Sequence, residues 1–240
     1  MNNVIYADQN YIAGLSEEFK AELHRHPVLE IYAACEGESH VRIKEEMIAG
    51  QIIMIAPDTL HAISDDGKRG IAIFVDPLSA IGYSIKEHHL HDKSYGIIEC
   101  SALQEPILSL MQNDSPEAVQ NVSGKIIEIL KDETIHRCFD QPVLEAIELV
   151  SKENEDFTMT SLADRIFLSK SRLAHLFSEQ TGITLKSYLQ YKRLEKALRK
   201  MMSGSSITEA ALDTGFAGSS HISVSGRKMT GMQIRKLLNI

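Results

Sequence analysis

The chain reads as a multi-domain α and β protein, with a small β-barrel or sandwich in front, linker helices, and an all-α tandem helix-turn-helix domain behind. Three observations predict this. Short apolar runs separated by turn-rich or charged segments fill residues 23–76. Helical-period stripes follow over residues 101–137, with a turn between them. From residue 158 onward, two pairs of short helices flank one long amphipathic stretch. These shifts place the domain boundaries at 1–98, 99–137 and 138–240.

In the front part, the runs at residues 29–35, 40–44, 50–56 and 70–76 are strand candidates, divided by charged or turn-forming segments. Several short strands at such spacing suggest a sandwich or small barrel rather than a parallel α/β sheet. His24 and His26, two apart on a strand, share a face, where Glu30 and His61 could join them. The segment Lys86–Lys93, with His88, His89 and His91, reads as an exposed loop rather than a second metal site. In the middle, Leu103, Ile107, Leu108 and Met111 form one stripe, and Ile126, Ile127, Ile129 and Leu130 another. Residues 112–116 make the turn between them. Such stripes either pair two protomers or pack on the β-domain. Pro142 starts the next helix near its first position.

The first helix-turn-helix spans about 158–181. Met159, Leu162, Ala163 and Ile166 recur at i, i+3, i+4, i+7, and the pattern breaks at Phe167–Leu168. Ser169 can cap a second helix whose buried face is Leu173, Leu176 and Phe177. The second unit spans about 206–230. Ser206 and Glu209 read as a capping box, Ile207, Ala210 and Ala211 as the buried stripe, and Gly215 as the residue that turns the chain. Ser219–Thr230 should be the second recognition helix. Between the units, the apolar positions of residues 185–202 predict one helix, roughly 27 Å long at 1.5 Å per residue. Successive major-groove segments of a duplex lie roughly 34 Å apart, so this helix fits a spacer role.

The formal net charge of −8 argues against a nucleic-acid partner only as an average. Residues 157–240 hold thirteen Lys/Arg against five Asp/Glu, a net +8, whereas residues 1–100 and 101–156 each come to −8. A basic segment attached to an acidic remainder fits a DNA-binding module beside a separate domain. No run of 18 apolar residues suggests a membrane span, and the first ten residues lack the form of a signal peptide. Cys35, Cys100 and Cys138 are far apart and form no CxxC pair, which predicts reduced thiols in a cytoplasmic protein.

Residues 161–198, followed by 206–222, resemble the DNA-binding domain of the AraC/XylS regulators. The most specific pieces are Ser169, Leu173, Leu176–Phe177, Gly182, Tyr188–Leu189, Arg193–Leu194, Ala197, Gly215–Phe216, Ser220–His221 and Gly231. The resemblance runs from near Gln141 to the last residue. In residues 20–80, His24, His26 and Glu30, followed by Gly37, Gly50, Pro57 and His61, resemble the two-part cupin signature that such regulators carry in their sensor domains.

The resemblance implies a cupin-like β-barrel or jelly roll that senses a small-molecule effector, linker helices that pair protomers in a homodimer, and a domain that binds double-stranded DNA, with RNA polymerase as a further partner. His24, His26, Glu30 and His61 then either hold a divalent metal or line the effector pocket, hydrogen-bonded to one another. Imidazole and carboxylate suit Zn, Ni, Fe or Mn. On the first recognition helix Lys170, Ser171, Ala174, His175 and Ser178 are expected to face DNA, because the apolar face turns inward. On the second, Ser219, Ser220, Ser223 and Val224 face outward, with Arg227 and Lys228 on the backbone. Arg193 braces the domain instead.

The second unit departs from the family pattern at Ala210, at Ile222, at Gly226 where an aromatic is usual, and at Ile234 where a Pro is expected. A looser second unit is the expectation. Two other functions stay open at this point: an adaptor of the same fold that does not bind DNA, and a metal-dependent cupin enzyme.

Overall fold

A computed structural model describes residues 3–65, 67–152 and 157–238. Among these residues ten strands come first, in chain order: β1 (Asn3–Ala7), β2 (Tyr11–Ser16), β3 (Lys20–His24), β4 (Leu29–Ala34), β5 (Ser39–Ile43), β6 (Glu46–Gly50), β7 (Ile52–Ile55), β8 (His61–Ser64), β9 (Gly70–Val75) and, after helix α1 (Ala80–His89), β10 (Tyr95–Ile98). They form two antiparallel sheets. One has the order β1-β2-β9-β4-β7-β10 and the other β3-β8-β5-β6.

The central strands of the larger sheet are apolar on both faces, and the alternation of side chains assigns each face a partner. Leu15, Ile31, Met54 and Ile73 pack in one cluster with Ile85 of α1, with Leu103 and Ile107 of α2 (Ser101–Ser109), and with Val122 and Ile126 of α3 (Pro116–Leu130). On the other face Tyr32, Ile53, Ile55 and Ala72 meet Ala21, Val41, Ile43 and Ile63 of the smaller sheet. The middle helices therefore bury most of their stripes on the sheet, while Leu108, Met111 and Ile129 stay exposed.

Two expectations change here. The β-structure extends beyond residues 23–76 to include β1, β2 and β10. His88 and His89 lie on α1 rather than in a loop, because the polar residues occupy the outer side of a helix that buries Ile85 against the sheet. His88 pairs with Asp132, and His89 Nε2 bonds the Leu130 carbonyl.

Residues 137–226 form a second compact unit, and residues 227–240 group with 1–136 in the first. The helices are α4 (Gln141–Lys152), α5 (Met159–Arg165), α6 (Lys170–Thr181), α7 (Leu185–Met202), α8 (Ile207–Asp213), α9 (Ser219–Thr230) and α10 (Ile234–Leu238). Local chemistry sets their starts. Thr158, Ser169, Thr184 and Ser206 each accept from a backbone N–H in the first turn, and Ser206 and Glu209 complete a capping box. In the first unit, the Glu22 N–H donates to the Gly231 carbonyl at 3.2 Å, and the Arg227 guanidinium grips the Glu22 carboxylate at 2.7–3.1 Å. Gly231, at φ +63°, has no room for a side chain, since a Cβ would lie 2.6 Å from the Glu22 carbonyl oxygen.

Gly82 of α1 sits where a Cβ would come within 2.0 Å of the Asp76 carbonyl oxygen, whereas at Gly124 of α3 the nearest atom would be Tyr11 Oη at 3.6 Å. Gly82→Ala should lower stability by about 2 kcal/mol or more through overpacking. Gly124→Ala should leave it unchanged or raise it by up to about 1 kcal/mol. Urea midpoints of the two variants check both signs.

Candidate nucleic-acid interface and buried histidine site

Two features can carry function: the outward faces of α6 and α9, and the cluster His24, His26, Glu30 and His61.

On α6, Leu173, Leu176 and Phe177 are buried, which leaves the opposite face to solvent. Lys170, Ser171 and His175 are exposed, while Ala174 and Ser178 are half-buried. Ser178 donates back to the Ala174 carbonyl at 2.9 Å, so its hydroxyl is engaged with its own helix. His175 Nε2 stands 3.9 Å from the Glu179 carboxylate. On α9, Ser220 and Val224 are exposed and Ser219 and Ser223 half-buried. Ile222 and Met229 take the inner face, with Ser225 buried among them where the sequence offers no large side chain. Arg227 and Lys228 are exposed, Arg227 in its pair with Glu22.

The four cluster residues come from three strands and one connection: His24 ends β3, Glu30 lies on β4, His61 opens β8 directly opposite His24, and His26 lies in the segment joining β3 to β4. All are buried, and their ligand atoms lie within 4.8 Å of one another. Each imidazole is oriented by a backbone carbonyl at Nδ1: Glu22 for His24 at 2.8 Å, Val28 for His26 at 3.1 Å, and Thr59 for His61 at 2.8 Å.

A carbonyl only accepts, so Nδ1 is the protonated nitrogen in all three and each Nε2 carries the lone pair. Two of those nitrogens nevertheless approach one carboxylate oxygen, Glu30 Oε2, at 2.9 Å from His26 and 2.8 Å from His61. Lone pair facing lone pair is unfavourable, so the arrangement calls for a positive charge there, either a proton or a metal ion.

The titration directions follow. Burial alone would raise the Glu30 carboxyl, but its hydrogen bonds with His26 and His61 outweigh burial and hold it well below the carboxylate range. Burial works to lower His61, and the Glu30 carboxylate more than offsets it, so His61 is raised. Burial pushes His24 down to about 4, and its Nε2 has no hydrogen-bond partner. One orphaned buried nitrogen, two more directed at a carboxylate and three Nδ1 atoms held by carbonyls suit a divalent cation, and the cluster could coordinate one.

The set was legible from residue types, but the carbonyls that orient it were not. Elsewhere in this unit an open groove of about 710 Å³ is lined by Glu36, Glu38, Glu99, Cys100 and Gln104 among others. It was not foreseen. Cys35 also lines it, with its thiol pushed up to about 12 by burial and so an unreactive group. No described helix is long and apolar enough to cross a membrane.

Comparison with known proteins agrees with the helical half. Residues 162–239 match the family model described as a helix-turn-helix domain. The chain is 31% identical over 132 residues to the HTH-type transcriptional activator RhaS of Pectobacterium carotovorum, a region that is 51% of this chain and 47% of that protein. It is 37% identical over 68 residues to the arabinose operon regulatory protein of Escherichia coli, 28% of this chain and 23% of the other. The chain thus spans less than half the length of these curated relatives, which are transcription regulators rather than enzymes. In fold it is similar to ToxT from Vibrio cholerae, with a TM-score of 0.59 at 14% identity over 97% of this chain and 98% of that one.

The His24 value implies a pH dependence with a fixed sign. Its folded-state pKa of about 4 lies below the ordinary imidazole value of 6.5, so between these limits the unfolded chain binds the extra proton and stability falls as pH drops. The raised His61 acts in the opposite sense and only above 6.5, where its contribution is lost as pH rises through the folded value. In chelator-treated protein, His24→Gln should flatten the loss between about pH 6.5 and 4, read from urea midpoints at several pH values. Parallel curves for the two proteins would assign the loss to other groups.

Proposed function

We propose that this chain, an AraC/XylS-type helix-turn-helix protein with an N-terminal accessory domain, is a transcription regulator that binds a specific DNA sequence and is controlled by a ligand bound in that accessory domain. One observation carries the reading. Two helix pairs, α5–α6 and α8–α9, flank an 18-residue helix, with α5, α6 and α8 capped by side chains; α6 buries Leu173, Leu176 and Phe177, α9 buries Ile222 and Met229, and both present small polar and basic side chains outward. That is the construction a recognition helix needs.

In this reading Lys170 and Lys228 neutralise phosphates, and Arg227 joins them on release from its pair with Glu22. Ser171, His175, Ser219 and Ser220 reach base edges, Ala174 and Val224 offer methyl contacts to thymine, and Ser223 donates to the Ser219 carbonyl at 2.7 Å and so presents only its lone pairs. Ser178 supports the helix from within its own turn. The protein acts as a homodimer in the cytoplasm, with the exposed Leu108, Met111 and Ile129 available to the pairing surface, and RNA polymerase is its further partner.

The accessory domain is cupin-like, and its His24–His26–Glu30–His61 site holds a divalent metal. Such an ion would supply a fixed positive charge to a carboxylate and three imidazoles that otherwise share protons. The effector binds in the same domain. It controls DNA binding only in so far as its affinity differs between the competent and incompetent states.

Binding to the protein's own upstream intergenic DNA, measured across a salt series against scrambled competitor, tests the function. Selective binding that weakens steeply with salt is expected. Lys170→Ala should weaken binding to all sequences and flatten the salt slope by about one, while His175→Ala should relax preference at one position by about 1–3 kcal/mol. Absence of binding at every salt concentration would favour an adaptor of the same fold. Metal content is tested separately. One divalent ion per chain, lost in His61→Ala with a fall in melting temperature, is expected, and a metal-free wild-type protein after metal-supplemented growth would leave the cluster a proton-sharing network.

A further inference from the structure

The turn between α5 and α6 contains a residue that neither folding nor the roles assigned above accounts for. Its backbone is well satisfied: the Phe167 N–H donates to the Asp164 carbonyl at 3.2 Å, and the Leu168 N–H to the Ala163 carbonyl at 3.0 Å. Ile166 is buried, Leu168 half-buried, and Ser169 caps α6. Phe167 stands apart. It takes φ +58°, in the left-handed region that crowds a Cβ, and its side chain is 94% exposed. A glycine would meet the turn's demand without strain and without placing a phenyl ring in water. A bulky residue that is both strained and solvated makes no contribution to the folded chain by itself, and such outliers cluster at binding sites.

The position limits what can cover the ring. Phe167 lies two residues before Ser169, the cap of α6, at the end of the helix that enters a major groove in helix-turn-helix docking. Ser169, Lys170, Ser171 and Arg172, all exposed, surround it in sequence with hydroxyls and cations suited to phosphate. Its apolar sequence neighbours are buried (Ile166) and half-buried (Leu168), so the ring is not part of an exposed apolar run, and the exposed residues beside it are polar or basic.

We propose that Phe167 is a DNA-contacting residue whose ring packs against the apolar edge of the operator, a thymine methyl or a deoxyribose, beside the start of α6. This rests on the DNA-reading function proposed above. The contact adds affinity without neutralising charge. Where the edge is a thymine methyl, it also adds a base preference outside the set read by the face of α6.

The physical signature separates this role from a structural one. Phe167→Gly relieves the left-handed strain, so its melting temperature should equal or exceed that of the wild type. Its affinity for the upstream DNA should fall about tenfold, with the slope of log affinity against log salt unchanged because no phosphate contact is lost. Phe167→Tyr should retain affinity to within about threefold. Uracil in place of thymine across the site distinguishes the two edges. If the methyl is the partner, uracil at one position weakens the wild type about as much as the glycine variant; if the sugar is the partner, uracil weakens no position in the wild type more than in the variant.

An affinity within twofold of the wild type in Phe167→Gly overturns the proposal and leaves the ring to a protein partner. A fall in affinity accompanied by a flatter salt slope overturns it as well, because it would report a displaced helix rather than a lost apolar contact. A wild-type protein that binds no DNA removes the function and this contact together, whereas a selective wild type with an unaffected variant removes the contact alone.

Discussion

Burial of β4 along its whole length is the constraint on which the accessory domain depends. All six residues from Leu29 to Ala34 are withdrawn from water. A strand covered on both faces requires a partner layer on each side, here the helices α1–α3 on one and the smaller sheet on the other. Four of the six side chains need nothing beyond that packing, and Tyr32 adds a buried hydroxyl near Asp65. Glu30 is the exception, a carboxylate in a fully covered strand paired in register with Ile55 and Phe74. Leaving such a charge uncompensated would cost several kcal/mol. His26 and His61 meet that demand directly, while His24, set opposite His61 by the pairing of β3 with β8, makes no hydrogen bond to the carboxylate.

This origin explains why the site is ordered rather than merely polar. The imidazoles are oriented by carbonyls that belong to the strands and bends themselves, so ring direction is a property of the backbone. The anchors at Nδ1 fix the direction of each ring and leave Nε2 to meet whatever positive charge the site holds.

What the sequence made legible follows the range of the interactions involved. The ends of α7, the cap at Ser169 and the Ser206–Glu209 box are set by residues within one turn of one another, and they were readable at that scale. The four residue types of the cluster were readable as well, because two histidines two apart and a nearby glutamate form a local pattern. The carbonyl anchors were not, since any residue presents the same C=O. Strands β1 and β2 escaped for a related reason: β1 is half-buried throughout, with no alternation to reveal a covered face. The pairing of Arg227 with Glu22 and the seat of Gly231 against the same residue join positions about two hundred apart, which no window of sequence connects. Phe167 was visible only as a break in a helical stripe, because exposure and a positive φ are properties of the folded turn.

The division of charge along the chain has a consequence for how the molecule responds to a charged surface. With a net +8 over residues 157–240 and a net −16 over residues 1–156, the modest total of −8 is the sum of two opposed segments. A polyanion attracts the one and repels the other, and both effects fade beyond about a Debye length, near 10 Å in 0.1 M salt. Salt therefore weakens the attraction and the repulsion together, so the response to ionic strength is that of the two segments and not of the net charge.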